Sequence, residues 1–330
     1  MSIWQQYNND EKIVILQQTA TAKKIIEQAV EKDWWVSAVL MALSKTSLAD
    51  FLQFKGGTCL SKAWELINRF SEDIDLSISR LFFNLPDETP QQRTTIRREA
   101  FHYINEILIG ELDTILQENN ITDYEIKPVT ENSSAMVTSI EVKYKSILPA
   151  LVDYVLPVVK IEFSAMSLDE PYRKKEITTF IHSVYLEIDN EITLSFKSVL
   201  PERTFLEKLF LLHEEYQKDM PRIKRMSRHL YDLEKMMDTP FAETALKNTD
   251  LYKMVIDHRK KFNNIRGIDY QTHYPELIQI CPPENLIEKW KDDYENMRQS
   301  FIYEEPKKTF NELIGRLQEL TDRIRTVKID

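Results

Sequence analysis

Cysteine is nearly absent from this chain. Two occur in 330 residues, Cys59 and Cys281, with no CxxC spacing, which argues against a disulfide framework or a thiolate zinc site and leaves two free thiols. Long apolar runs are missing as well. No stretch of about 18 apolar residues occurs, so nothing reads as a membrane span. The opening residues MSIWQQYNNDEKIVILQQTATAKK lack a basic region leading into an uninterrupted apolar core, so no secretory signal is read. Both absences set the expectation of a cytoplasmic protein with no membrane partner. Positive charge is in deficit. With 43 Lys and Arg against 53 Asp and Glu, the formal net charge of −10 works against indiscriminate nucleic-acid binding, whose affinity comes mostly from neutralising phosphates. A local basic face stays open at YRKK (172–175), KDMPRIKRMSRH (218–229) and HRKKFNNIR (258–266), although solvated surface is the simpler reading of any one of them alone. Six histidines show no zinc spacing, and neither a GxSxG elbow nor a Walker A loop occurs, which sets aside zinc-protease, esterase and P-loop chemistry.

Glycine is scarce too, with five in the chain. Two of the five stand side by side at 56 and 57, and Asp-Ile-Asp follows at 73–75. Around this stretch, apolar spacing predicts two helices over residues 10–50, broken near Asp33. FLQF (51–54) reads as a short strand, Gly56-Gly57 as its turn, and 58–70 as an amphipathic helix burying Leu60, Ala63, Trp64, Ile67 and Phe70. In DIDLSIS the alternation is strict: Ile74, Leu76 and Ile78 share one face, Asp73, Asp75 and Ser77 the other. A loop and helix over 80–125 precede strands at SIEVKYKSI and PVVKIEFS, with a weaker one at TTFIHSVYLEI that TLSFKSV continues. From Pro201 the pattern turns helical: ERTFLEKLFLLHEEYQ, MSRHLYDLEKMM, LYKMVIDHRKKF and FNELIGRLQELTDRI. The chain is long enough for two domains. The expected architecture is α+β over 1–200, a mixed sheet with flanking helices, followed by a helical domain over 201–330.

Two aspartates two apart on a strand bring their carboxylates to one face, a costly pairing unless a cation or hydrogen bonds compensate it. Oxygen-only ligands suit Mg²⁺, which binds through one or two carboxylates plus substrate phosphates. A glycine pair and a threonine at a helix start supply the complementary part, amides that attract an anion and backbone that admits a phosphate closely. Glu162, the acid on the polar face of PVVKIEFS, is the best candidate for a third carboxylate of a two-metal site. Each element alone has an ordinary reading: a turn, a solvated strand face, a surface ion pair. Their order and spacing together favour phosphate chemistry.

KGGTCLSKAWELINRFSEDIDLSIS resembles the signature of the AbiEii/AbiGii toxin family, the MenA-like nucleotidyltransferases of the DNA polymerase β-type superfamily. TFLEKLFLLHE and MSRHLYDLEKMM are similar to the family's later motifs, and WKDDYENMRQSFIYEEPKKTFNELIGRLQEL to its C-terminal helices. The resemblance covers most of 50–325. It implies a polymerase β-like fold, with the second domain completing the active-site cleft. It also implies a toxin of a type IV, AbiE-like system with a separate AbiEi-type antitoxin, NTP as substrate, Mg²⁺ in a two-metal site, and NMP transfer, in some members to the 3′ end of tRNA. Carried over by residue, it gives Asp73, Asp75 and Glu162 as metal-binding and catalytic, Gly56, Gly57 and Thr58 as the phosphate turn, and Lys208, Arg228, Tyr231 and Asp232 as the later motif positions. For Lys208 a phosphate contact and a solvent-facing role both remain open, as do a site role and an ion pair with Arg228 for Asp232. Lys55 and Lys62 flank the turn and read equally as phosphate contacts or surface, while Arg69 and Ser71 shape the turn before the aspartates. Two other functions stay in view: nucleotidyl transfer to a protein hydroxyl, and a non-catalytic nucleotide-binding protein.

Overall fold

The computed structural model describes residues 6–86, 89–149, 156–169, 171–188 and 192–329. The chain divides into two compact units, Met1–Glu65 with Phe70–Val199, and Leu66–Arg69 with Leu200–Asp330.

The first unit opens with helix α1 (Asn9–Lys23), whose start is fixed by a capping box between Asn8 and Glu11. Helix α2 (Glu27–Leu43) follows, buried along almost its whole length. The helices separate at Lys24, in the left-handed region at φ 58°, not near Asp33 as the sequence suggests. Asp33 stays inside α2 because distant groups satisfy it: its carboxylate pairs with the Lys62 ammonium and accepts the Phe180 N–H at 2.7 Å.

Seven strands form one mixed sheet: β1 (Leu52–Lys55), β2 (Ile74–Ile78), β3 (Tyr124–Pro128), β4 (Thr138–Tyr144), β5 (Val158–Ser164), β6 (Tyr172–Ile177) and β7 (Leu194–Val199), in the order β3-β4-β5-β2-β1-β7-β6. The β2–β5 and β1–β7 pairs are parallel and the others antiparallel. The period of two sorts the two faces. Phe54, Leu76, Phe163, Ile161 and Ile140 bury one face completely or nearly so. Helix α2 lies against it, with Trp35 stacked on Tyr144 at 4.8 Å between ring centroids, a contact of about 0.5–1.5 kcal/mol beyond its burial. The other face carries Lys55, Asp75, Lys160 and Glu162.

Helix α3 is shorter than the 58–70 span that the apolar spacing predicts. It runs Gly56–Lys62, and Glu65 then takes φ 54°. Beyond it the chain leaves the helix, with residues 66–69 belonging to the second unit and Arg69 bridging to Ile302. Ile67 is buried all the same, so its apolar spacing reflects core contact and not helix. Residues 90–118 form α4 (Pro90–Tyr103) and α5 (Ile109–Glu118), joined by a π-helical turn at Ile104–Leu108. The weak strand expected at TTFIHSVYLEI is a series of turns over its described residues. The strand lies farther on, at β7. Strands β3 and β6 are additions that the sequence pattern did not offer.

In the second unit α6 (Pro201–Tyr216), α7 (Ser227–Met236), α8 (Pro240–Lys247), α9 (Thr249–His258), α10 (Ile287–Ser300) and α11 (Phe310–Arg325) pack together. Helix α6 meets α7, α8 and α9, while α7 also meets α10 and α11. The expected stripe Leu206, Leu209 and Leu212 is completely buried. Among the described residues no helix is long and apolar enough to cross a membrane.

Candidate active site

Strand register builds the first cluster. Asp75 stands opposite Lys55 on β1 and Glu162 on β5, so all three side chains leave the sheet on one face, about 4.8 Å apart from strand to strand. Asp73 lies one residue before β2, and its charge is felt by Lys160 of the same cluster. Gly56 closes the cluster from the β1 end. Its φ is +77°, and a Cβ there would lie 2.0 Å from Asp75 Oδ2, so only glycine fits against this carboxylate. The first amides of α3 have no acceptor within the helix.

Neighbouring groups fix the strand entrance. Thr58 is buried, and its hydroxyl donates to the Asp73 carbonyl oxygen at 2.5 Å and lies 2.9 Å from Ser71 Oγ. Its side chain is therefore committed to holding the backbone that carries Asp73, and only its N–H is left for an anion. From α2, Lys32 donates to Glu72, next to Asp73, at 2.6 Å, and to the Leu156 carbonyl oxygen at 3.0 Å. Lys62, expected to be a phosphate contact or surface, is neither exposed nor uncommitted: its ammonium pairs with Asp33, with side chains 3% and 4% exposed. Lys55 is half-buried and donates to Ser167 Oγ at 3.0 Å.

A cation already stands among these acids. Lys160 Nζ lies 2.5 Å from Glu162 Oε1. Burial opposes its charge, but the hydrogen bond to Glu162 and the fields of Glu162, Asp73 and Glu141 raise the ammonium above its ordinary value. Charge and donor type thus fit a hard divalent ion, with oxygen ligands and an excess of negative charge. Among the described residues, however, no three His, Cys, Asp or Glu groups converge as a ready-made metal cage. A cation held here would complete its shell from water or substrate oxygens.

The second cluster lies in the helical unit. Asp232 of α7 is fully buried, and its two oxygens receive Arg69 Nε at 2.6 Å, Arg69 Nη2 at 2.8 Å and Lys208 Nζ at 2.8 Å. Burial alone would raise this carboxyl, but Arg69 and Lys208 hold it well below the usual carboxylate range. Lys208 of α6 is lowered by burial; Asp232 opposes this, while Arg69 and Arg228 reinforce it. His229 Nδ1 stands 3.5 Å from Lys208 Nζ, and burial together with that ammonium drives the imidazole well below its ordinary value, so it is neutral. Arg228 is half-buried beside them. The helical spacing that suggests an Arg228–Asp232 pair did not point to Arg69, which lies 163 positions away. Lys160 and His229 were likewise missed as members of these clusters. Lys160 had a signal, since it shares a strand face with Glu162; His229 had none.

Both thiols are free, and burial pushes Cys59 up to about 12 and Cys281 to about 11. A half-open cavity of about 310 Å³ lined by Lys12, Glu31, Trp34, Trp35, Asp123 and Lys145, among others, includes none of the candidate residues.

No curated protein matches the chain. Among solved structures it is similar to JHP933 from Helicobacter pylori, with 17% identity, 91% of this chain and 93% of that one covered, and a TM-score of 0.46. It is also similar to MenT4, a nucleotidyltransferase toxin from Mycobacterium tuberculosis, with 14% identity, 96% and 99% covered, and a TM-score of 0.45. The family model described as nucleotidyl transferase AbiEii toxin, type IV toxin–antitoxin system, matches residues 38–316. With its mixed sheet, its Gly-Gly and Asp-x-Asp elements and most of its length inside that match, the chain belongs to the AbiEii family of nucleotidyltransferase toxins.

Proposed function

We propose that this toxin transfers an NMP group from an NTP to the 3′-terminal hydroxyl of tRNA in a Mg²⁺-dependent reaction, under the control of an AbiEi-type antitoxin. The observation that carries this reading is the register of Asp75 with Glu162, with Asp73 just before the strand and Gly56 closed against Asp75. Asp73, Asp75 and Glu162 would hold the metal, which when bound supplies charge neutralisation at the phosphates. The amides of Gly56, Gly57 and Thr58 donate to phosphate oxygens, and Lys55 adds charge beside them. Glu162 takes the proton of the attacking hydroxyl. The new bond joins that oxygen to the α-phosphorus, the bond to the β-phosphate oxygen breaks, and pyrophosphate leaves. Lys208 and Arg228 answer phosphate charge, and Asp232, with both oxygens occupied, serves by fixing the Lys208 ammonium.

The test is transfer of label from each α-phosphate-labelled NTP, with Mg²⁺, to total bacterial tRNA and to total protein, for wild type and Asp75→Ala. Label on tRNA that disappears in the variant is expected, and it also reports base preference. Label on protein alone would replace the tRNA acceptor with a protein hydroxyl. Absence of both label and NTP binding would overturn the catalytic reading.

A further inference from the structure

The strand row that contains Asp75 continues to the edge of the sheet. Asp75 stands opposite Lys55, Phe54 is in register with Ser198, and Val199 is opposite Tyr172. One row therefore runs Glu162, Asp75, Lys55, Val199, Tyr172, with every Cβ on the same face. Tyr172 lies three strand spacings from Asp75, about 14 Å. It is 36% exposed and sits on β6, the last strand of the sheet.

The residues around Tyr172 are basic. Arg173 and Lys174 are exposed. Lys174 stands directly across from Lys197 on the same face as Tyr172, and Lys197 lies over the Tyr172 ring at 5.3 Å while donating to the Asp50 carbonyl oxygen. Lys175, on the opposite face, lies over Trp64 at 4.8 Å. Glu176 is the one acid of the strand. A lysine-rich edge is a common defence against strand pairing between molecules. That role needs charge, but it needs neither two lysines opposed on one face, which repel each other, nor an exposed aromatic beside them in the row of the candidate carboxylates. In a protein of net charge −10, this concentration fits an anion with repeated charges and flat, stackable groups.

We propose that the face of β6 and β7 formed by Tyr172, Lys174 and Lys197, with Arg173 at the edge, is the landing strip for the single-stranded end of the acceptor RNA. The inference rests on the RNA reading given above. Tyr172 stacks on a base a few nucleotides from the reacting end. Lys174 contacts the backbone phosphates from this face and Arg173, whose Cβ leaves the other face, from the open edge of the strand, and the strip discriminates acceptors without taking part in NTP binding.

The test uses the full chain. Binding of an unstructured oligoribonucleotide, and the acceptor KM for total tRNA, are measured over a salt series for wild type, Arg173→Gln/Lys174→Gln and Tyr172→Ala. These residues are exposed or at the edge, and circular dichroism together with unchanged NTP binding verifies the fold. The double variant is expected to bind RNA at least tenfold more weakly, with the slope of log affinity against log salt shallower by about 1.4, the value for two lost phosphate contacts on a single strand. Tyr172→Ala should raise the acceptor KM several-fold with the NTP KM unchanged. Wild-type RNA binding with both variants unaltered overturns the strip and leaves the RNA reading standing. A wild type that neither binds nor labels RNA overturns both. Competition by polyglutamate as strong as by RNA, with Tyr172→Ala inert, assigns the edge to an acidic protein segment and overturns the proposal.

Discussion

At Gly56 one methyl group separates glycine from alanine, and that methyl would stand 2.0 Å from Asp75 Oδ2 on a backbone at φ +77°. Left-handed strain and the displaced carboxylate act together. Gly56→Ala is expected to lower nucleotidyl transfer at least about 100-fold and to destabilise the fold by about 1–3 kcal/mol, read in the labelling assay and by urea unfolding. Gly110 is the internal control, because a Cβ there meets nothing within 4 Å. Because the π-helical turn runs into α5 without a break, Gly110 lies inside continuous helix, and Gly110→Ala should stabilise by about 0.5–1 kcal/mol and leave activity alone.

Between elements, charge pairing decides more than helix pattern does. Asp232 lies buried under Arg69 and Lys208, and removing the one anion among buried cations costs about 3–5 kcal/mol. Asp232→Asn is therefore expected to lower the urea midpoint sharply. Asp75→Ala, at a half-exposed strand position, should change stability by about 1 kcal/mol or less while abolishing transfer. Equal destabilisation of the two variants would contradict this division. The same scale explains what was legible in the sequence. Strands β2, β4 and β5 declared themselves because one of their faces is buried and the other polar. Edge strands β3 and β6 did not, since Tyr124–Pro128 and most of Tyr172–Ile177 have no buried face to impose a period of two. The pattern draws helix α3 too long because Ile67, on the link beyond the helix, is buried as well, and its spacing from Leu60 and Ala63 mimics a helical period. Asp33 suggested a break because its partner Lys62 is invisible to local pattern. The Gly-Gly and Asp-x-Asp elements were legible for a different reason: their spacing is short and tied to one chemistry. The Asp232 partners belong to long-range packing, and Arg69 carried no local mark of it.

For the whole molecule, acidity is felt through a buried imidazole. His213 is 4% exposed, its Nε2 lies 2.8 Å from Thr272 Oγ1, and its Nδ1 accepts the Gln279 N–H at 3.1 Å. Burial first, and His273 second, lower it to about 4, while Glu214 opposes them. Below pH 6.5 the unfolded chain takes up a proton that the folded chain refuses until about pH 4. Stability should therefore fall as pH drops through this window, by about 3 kcal/mol for this group. Glu214, lowered to about 2, loses its contribution only at lower pH, as pH falls from its ordinary value toward 2. Urea unfolding at pH 7, 6 and 5 should show the slope, and His213→Gln should flatten it; an unchanged slope in the variant would assign the acid sensitivity elsewhere. A last consequence follows from Arg69 and Asp232, which are 163 residues apart in sequence. At the pace of translation that separation is about 10–30 s, during which the growing chain carries Arg69 without the carboxylate that neutralises it in the finished fold. A message broken before codon 232 therefore encodes every strand of the Asp-x-Asp sheet but leaves Arg69 in an unfinished second unit, without the helix whose carboxylate answers it in the complete fold.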